Sequence, residues 1–433
     1  MRSVFLNRRA FLRVAGATAA LGLWAGIGVG QEETARRKPN FVFFLVDDLG
    51  WMDLGCYGST FYETPNIDGL AAEGMRFTDA FAASPVCSPT RASIMTGKHP
   101  ARLGITQWIG GHQEPTPYQD YLPVEEMTIA AALKADGYAT GSIGKWHLAK
   151  PDKDRAEYYP ERYGFEINVG GDTSGLPPTY FHPYVRRRRC LETLPVDGNE
   201  GEYLTDRLTN ESLEFMEANK NRPFLLYLSH YAVHTPIESK RELTEKYKTK
   251  AARLPGPGGP RFESVYGLYT TRLVQDHAAY AGMVQSVDES LGRVLGKIQE
   301  LGLQRDTIVI FMFDNGGLST ISPEGPTCNL PLRAGKGWLY EGGIRLPMLV
   351  KWPGVVPPGS VCHEPVTSTD FYPTMLEMAG LPLNRQQHVD GVSLVPLLKG
   401  TGALRREAIY WHYPHYHGSG NRPSGSLQAN RMV

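Results

Sequence analysis

The sequence predicts a doubly wound α/β fold, with a mostly parallel central sheet and helices on both faces. Three observations lead there. Short, wholly apolar runs alternate with longer stretches of helical periodicity. The apolar runs have no polar face, as expected of strands covered on both sides. Several of them end abruptly on charged or amide side chains, where an open α/β sheet forms its ligand crevice.

Residues 1–30 read as an address rather than as part of the fold. Arg8-Arg9-Ala10-Phe11-Leu12-Arg13 is followed by an apolar, small-residue run from Val14 to Gly30, with no acidic residue before Glu32. Paired arginines before Phe-Leu point to the twin-arginine export machinery, with an ordinary secretory signal or an N-terminal anchor helix as the plainer alternatives. The run is short and Gly-rich for a membrane span, so cleavage near Gly30 is expected, with no stable span after it. That predicts an exported protein, periplasmic or extracellular in a bacterium. The segment carries four arginines and no acid, so a chain of net charge zero becomes one of net charge −4.

Within residues 31–417 the predicted strands are Phe41–Val46, Ala139–Ile143, Phe224–Leu228, Thr307–Phe313 and Pro347–Val350, all taken as parallel. Helical patterns cover Ile67–Glu73, Thr128–Ala135, Tyr203–Ala218, Val274–Leu301 and Thr369–Met378. Right-handed crossovers connect elements of this kind. Residues 150–200 form a long polar, Pro-rich insertion and residues 254–260 a Pro-Gly loop, neither of which marks a domain boundary. There is no internal repeat.

Composition narrows the function classes. A chain of 433 residues with 41% hydrophobic and 21% charged residues is neither disordered nor a multi-span membrane protein. It is long enough for a large α/β domain with a satellite. Zero net charge gives no reason to expect a nucleic acid partner. Five cysteines, at positions 56, 87, 190, 328 and 362, leave at least one outside any internal disulfide.

The strand ends carry the chemistry. Asp47 and Asp48 follow the first strand, and Asp314 and Asn315 follow the fourth. Four oxygen-bearing side chains without a soft donor suit a hard cation such as Ca²⁺ or Mg²⁺, although acidic pairs after strands also serve as helix caps. Lys145 and His147 follow the second strand, His230 and His234 the third, and Lys336 lies in the Gly-flanked turn Arg333–Gly337. Singly, such groups are more often surface or satisfied core. Together with a cation they describe a site for an oxyanion with several charged oxygens.

Between these lies Cys87-Ser88-Pro89-Thr90-Arg91-Ala92-Ser93-Ile94-Met95-Thr96-Gly97. A cysteine at a helix N-terminus with arginine one turn on is expected to have a depressed thiol pKa; a buried structural cysteine is the plainer reading. The string resembles the sulfatase signature Cys-x-Pro-x-Arg followed by Thr-Gly. From about Pro39 to Tyr416 the chain is similar in order and spacing to the formylglycine-dependent sulfatases of the alkaline-phosphatase-like superfamily, the glycan-active bacterial branch in particular.

That resemblance implies a set of roles. Cys87 is oxidised by a formylglycine-generating maturation enzyme, and Asp47, Asp48, Asp314, Asn315 and residue 87 hold Ca²⁺. Arg91 holds the hydrated aldehyde, and Lys145 bridges it and the sulfate. His147 helps collapse the hydrate after transfer, with Asp314 and the metal activating the attacking hydroxyl. His234 and Lys336 bind the ester and assist the departing alcohol. The implied substrate is a sulfated sugar or an aryl sulfate. A phosphodiesterase or phosphonate monoester hydrolase of the same superfamily is the rival enzyme, and a non-catalytic binder of sulfated glycan the rival from another class. With residue 87 assigned, Cys56, Cys190, Cys328 and Cys362 permit three disulfide connectivities.

Three segments fall outside these roles. Arg186-Arg187-Arg188-Arg189 reads as a charged, solvated loop, with docking of an anionic polysaccharide as the alternative. Trp411-His412-Tyr413-Pro414-His415-Tyr416-His417 either packs at a domain edge or offers sugar contacts, and His415 is taken as a candidate substrate ligand. Relatives continue into a small C-terminal α+β subdomain; residues 418–433 are a polar, Gly-rich tail where it is expected to begin, so that subdomain is predicted to be absent or truncated.

Overall fold

In a computed structural model, residues 37–111, 117–151, 155–195, 197–256, 258–265, 269–321 and 323–415 are described. The expected signal at 1–30 and the tail at 418–433 lie outside them. The run Asn40-Phe41-Val42-Phe43-Phe44-Leu45-Val46 has no polar face, and all of it is buried, which only an interior strand allows. It forms β1 (Asn40–Val46). Further strands are β2 (Met75–Phe81), β3 (Ala139–Gly144), β4 (Ile167–Val169), β5 (Phe224–Ser229), β6 (Phe262–Val265), β7 (Tyr269–Arg272), β8 (Thr307–Phe313), β9 (Thr320–Ile321), β10 (Arg345–Lys351), β11 (Ser360–Cys362) and β12 (Val366–Thr367).

The main sheet has the order β11-β2-β10-β8-β1-β5-β3-β4, with β12 also pairing with β2. From β8 to β4 every pairing is parallel, and β1 lies between β5 and β8. The expected α/β architecture with a mostly parallel sheet is therefore present. β6, β7 and β9 make a separate three-stranded antiparallel sheet.

One expectation is corrected. β10, which contains Pro347–Val350, runs antiparallel to both β8 and β2. A parallel neighbour requires a connection that crosses the sheet, usually a helix. Among the described residues of 314–344 the elements are β9 and a single helical turn at Glu341–Ile344, so the chain re-enters near where β8 ended and runs back. Burial on both faces hides direction from the sequence. β2 has no counterpart among the expected strands; Met75, Phe77 and Ala80 are buried and the others half-buried, so alternation holds only to Thr78 and breaks where the pairing with β10 shifts register. The 150–200 insertion adds β4 at the sheet edge and otherwise consists of turns and 3-10 segments.

The longer helices are α1 (Pro65–Glu73), α2 (Cys87–Thr96), α3 (Ile129–Ala135), α4 (Leu204–Asn219), α5 (Arg241–Ala251), α6 (Ala278–Glu300) and α7 (Phe371–Met378). α6 packs against α4 and α5, and its apolar stripe from Tyr280 to Ile298 is buried. Phe371 of α7 meets Phe43 of β1 edge-on, with ring centroids 5.0 Å apart.

α2 breaks the usual pattern, because all ten of its residues are buried although half are polar. Burial of hydroxyls is tolerated where each finds a partner. Ser88 Oγ donates to the His147 carbonyl at 2.9 Å, Thr90 Oγ1 to that of Ser84 at 3.0 Å, Ser93 Oγ to that of Thr90 at 2.6 Å and Thr96 Oγ1 to that of Ala92 at 2.8 Å. The Ser88 bond ties the start of the helix to the segment that follows β3, and the other three satisfy their hydroxyls within the helix and the turn before it.

All five cysteines are free thiols, so none of the three disulfide connectivities left open by the sequence is formed. Among the described residues no helix is long and apolar enough to cross a membrane.

Candidate active site

Parallel pairing brings the strand-end residues together. Val46 is in register with Phe313, so Asp47 and Asp314 follow side by side, and Asp314 N donates to the Val46 carbonyl at 3.2 Å. Gly144 is in register with Ser229, and Lys145 N donates to the Ser229 carbonyl at 2.7 Å. Strands β3, β1 and β8, with β5 between the first two, therefore deliver Lys145, Asp47 and Asp314 to the same end of the sheet.

Arg91, one turn into α2, ties these ends to each other. Its Nε and Nη2 reach Asp314 Oδ2 at 2.9 and 2.8 Å, while Nη1 donates to the Lys145 carbonyl at 2.9 Å and to Ser229 Oγ at 2.5 Å. Arg91 and Asp314 are both fully buried, and the planar fork suits this several-sided contact better than an ammonium would. Lys145 Nζ pairs with Asp47 Oδ2 at 2.5 Å. Around Asp48 gather Lys336 Nζ, 2.7 Å from Oδ1, Asn315 Nδ2, 2.7 Å from Oδ1, and His234 Nε2, 3.5 Å from Oδ2. Asp48 and His147 both adopt left-handed backbone, at φ 61° and 56°, a conformation that costs a side-chain-bearing residue about 1–3 kcal/mol.

Cys87 opens α2 with only 2% of its surface exposed. Its Sγ lies 3.2 Å from His147 Nδ1, and His147 Nε2 is 2.8 Å from the Ile109 carbonyl. A carbonyl can only accept, so Nε2 carries the proton and Nδ1 turns its lone pair toward residue 87. Burial holds His147 well below the ordinary imidazole pKa, and the Lys145 charge acts in the same direction. It is a neutral base.

The expectation of a depressed Cys87 pKa is corrected. Burial pushes the thiol up, and Lys145 and Lys336 do not offset this against the nearby Asp47 and Asp314 carboxylates. Arg91, the expected activator, is committed to Asp314. Unmodified Cys87 is a protonated thiol rather than a reactive thiolate.

The carboxylates divide by environment. Burial and the neighbouring Asp47 raise Asp314, with Arg91 pulling the other way. Burial also pushes Asp48 up, but Lys336 and His234 more than offset it, and its pKa lies below the ordinary carboxylate value. Lys336 is desolvated yet held above the usual lysine range by Asp48. Burial, with Lys336, lowers His234, whose Nδ1 lies 2.9 Å from the Thr235 carbonyl.

Two buried oxygens, Asp47 Oδ1 and Asn315 Oδ1, have no hydrogen-bond partner among the described residues. Orphaned oxygens beside Asp48 are what a hard cation satisfies, so the donor set fits Ca²⁺ or Mg²⁺. Ligand atoms of Asp47, Asp48 and His234 all lie within 4.8 Å of one another, which adds a nitrogen that the oxygen-only set did not include.

Two further histidines read from the sequence are held by core and loop contacts. His230 packs on Phe44, bonds Ser290 Oγ at 2.9 Å and is pushed down to about 3 by burial, which makes it a core residue. His415 is also buried, 2.8 Å from Thr106 Oγ1. With Tyr413, whose hydroxyl is 3.0 Å from Gln107 Oε1, it braces residues 106–109, the loop whose Ile109 carbonyl holds His147. Sequence reasoning did not single out Ser229 or Ile109. Ser229 was detectable as a hydroxyl closing an apolar strand, whereas Ile109 acts through its backbone and leaves no side-chain signal.

Residues 39–381 match the family model described as Sulfatase. Steryl-sulfatase of Mus musculus is 32% identical over 452 residues, covering 88% of this chain and 68% of that one. Arylsulfatase A of Homo sapiens is 34% identical over 420 residues, covering 92% and 73%. The crystal structure of Ps i-CgsB in complex with k-i-k-neocarrahexaose aligns with a TM-score of 0.67–0.68 for its two forms, the complex at 31% identity and covering 85% of this chain and 77% of that one.

Proposed function

The chain belongs to the sulfatase family and is a sulfuric ester hydrolase acting on sulfate monoesters, and from that premise we propose that residue 87 works as formylglycine, beside a hard divalent cation, on a sulfated carbohydrate. The observation that carries this reading is the neutral His147 imidazole, its Nδ1 3.2 Å from the residue-87 side chain, opposite a cluster of carboxylates and lysines.

Formylglycine, once hydrated, supplies what serine lacks: one hydroxyl to attack sulfur and a second from which sulfate can be expelled. A cation held by Asp47, Asp48, Asp314, Asn315 and residue 87, Ca²⁺ or Mg²⁺, supplies positive charge against the sulfate oxygens. The chain's own residues do the rest. His147 Nδ1 takes the proton of the second hydroxyl, because its Nε2–H is committed to Ile109. Arg91 fixes Asp314 beside residue 87, where the carboxylate accepts the proton of the attacking hydroxyl. Lys145 and Lys336, now held by Asp47 and Asp48, present ammonium groups to the ester oxygens. Lys336, a charged ammonium held by Asp48, gives the proton to the departing alcohol, because the proton of the neutral His234 ring is on Nδ1 against the Thr235 carbonyl and Nε2 has none to give. Burial of Arg91, Lys145 and His147 keeps bulk water away from the reacting sulfur.

Carbohydrate is favoured over a small aryl ester because a relative of similar fold, 31% identical, binds the oligosaccharide k-i-k-neocarrahexaose. A formylglycine-generating enzyme and the twin-arginine machinery are the implied partners, with function in the periplasm or outside the cell. The wholly buried α2 supports oxidation of Cys87 before folding is complete.

Peptide mass mapping around residue 87, with sulfate release from a panel of sulfated sugars, tests the reading. The expected result is an aldehyde at residue 87 and release that disappears in Cys87→Ala. Release that persists in Cys87→Ala, or a preference for phosphodiesters, overturns it.

A further inference from the structure

The arginine run that sequence reasoning read as a solvated loop is an ordered two-residue turn. Arg186 N donates to the Arg189 carbonyl at 3.1 Å and Arg189 N returns the bond to Arg186 at 3.0 Å. Arg187 and Arg188 between them both take left-handed backbone, at φ 52° and 63°. Turns with two positive φ values select Gly, Asn and Asp, so the turn geometry does not account for two arginines at its tip.

The base of the turn is tied to the sulfate-ester site. Arg186 Nη2 pairs with Glu238 Oε1, and Glu238 Oε2 accepts from Thr179 Oγ1 at 2.7 Å and Tyr180 N at 2.9 Å. The Tyr180 hydroxyl reaches the carbonyls of Tyr231 and His234, at 2.7 and 2.9 Å. One glutamate and one tyrosine thus connect the arginine turn to the segment bearing His234. Among the described residues Arg187, Arg188 and Arg189 are exposed and make no ion pair. Three uncompensated like charges in sequence repel one another, and an anion relieves that repulsion.

We propose that the Arg186–Arg189 turn is an anion subsite that takes a second sulfate of a carbohydrate whose scissile sulfate lies at His234 and Lys336, making a polysulfated glycan the preferred substrate. The proposal rests on the sulfate-ester reading above and adds where the rest of the substrate is held. Guanidinium forks match the sulfate group's oxygens as they match phosphate.

The test uses the full, matured chain and the double variant Arg187→Asn/Arg188→Gly, whose residues suit the same turn. Chemically sulfated maltohexaose is the multiply charged probe and 4-nitrophenyl sulfate the small one. Affinity for sulfated maltohexaose is expected to fall about tenfold, with the dependence of log Kd on log salt shallower by up to about one per arginine removed. kcat/KM for 4-nitrophenyl sulfate is expected to stay unchanged, which also reports an intact fold. Arg188→Gln alone is expected to move affinity about threefold in the same direction.

An affinity change below twofold in both variants overturns the subsite. So does duplex DNA that binds as tightly as the sulfated sugar and loses as much affinity, because the turn is then a generic polyanion contact. No sulfate release from any ester by the wild-type chain, with oligosaccharide binding still lost in the double variant, overturns the catalytic reading and supports the turn as a glycan-binding site.

Discussion

His147 is held between Cys87 and Ile109, its Nδ1 3.2 Å from the cysteine sulfur and its Nε2 2.8 Å from the isoleucine carbonyl. One backbone carbonyl therefore decides which nitrogen of the base faces residue 87. His147→Ala is expected to lower kcat by about 10²–10⁴-fold, the usual scale for a positioned proton acceptor. Thermal stability should change far less than kcat, and steady-state kinetics beside a melting curve separates the two. Unchanged kcat would contradict the role.

Asp53 offers a pH signature away from the chemistry. It is fully buried and accepts from Gly50 N at 2.8 Å, the Tyr280 hydroxyl at 2.6 Å and Thr327 Oγ1 at 2.8 and 2.9 Å. Burial, only partly offset by these bonds, moves its pKa from 3.8 up to about 6. The native state thus keeps this proton after the unfolded chain has lost it. Stability from Asp53 is greatest below about pH 4 and declines as pH rises to about 6, by roughly 3 kcal/mol. Denaturant midpoints from pH 4 to 7 are expected to show that decline in the wild type and a flatter profile in Asp53→Asn. Equal slopes would refute the assignment.

Gly316 follows Asn315 at a place where two backbones touch. A Cβ at Gly316 would lie 1.9 Å from the Gly342 carbonyl oxygen, which is backbone and cannot swing away. Gly316→Ala is expected to displace the Asp314–Asn315 turn, with a loss of at least 3 kcal/mol in stability. Gly296→Ala, on the exposed face of α6 where a Cβ meets nothing within 4 Å, is the control and is expected to stabilise by about 0.5–1 kcal/mol. Similar unfolding midpoints for the two variants would count against the close approach.

The proposed cation at Asp47 and Asn315 would couple metal binding to folding. Ca²⁺ at a hundred times its Kd would stabilise the native state by about 2.7 kcal/mol. A melting curve in chelator should therefore lie a few degrees below one in Ca²⁺, and Asn315→Ala should shrink that gap. Identical curves with and without Ca²⁺ and Mg²⁺ would remove the metal from the site.

Legibility from sequence followed burial. β1, β5 and β8 were visible because strands covered on both faces are apolar throughout, and their polar termini marked the site. β2 was missed because its wetter face dilutes the apolar signal, and the direction of β10 left no trace in its residues. Asp47, Asp48, Cys87, Arg91, Lys145, His147, His234, Asp314, Asn315 and Lys336 are all legible as strand-end or motif residues, and their hydrogen bonds and ion pairs join them at the carboxyl ends of the strands. His415 is buried and bonds Thr106 Oγ1, on the segment that leads to Ile109.

The sequence by itself determined the inventory, namely the Cys87 motif, the acids and amide at two strand ends and the basic groups at two others, since alternation of apolar and polar residues dictates where strands stop. Only the tertiary structure decided their states. Arg91 spends its charge on Asp314, the Cys87 thiol is raised where a helix N-terminus suggested the opposite, and His147 is a neutral base with a defined tautomer. These outcomes depend on desolvation and on distances between charges from remote parts of the chain, and neither quantity exists until the strands pair.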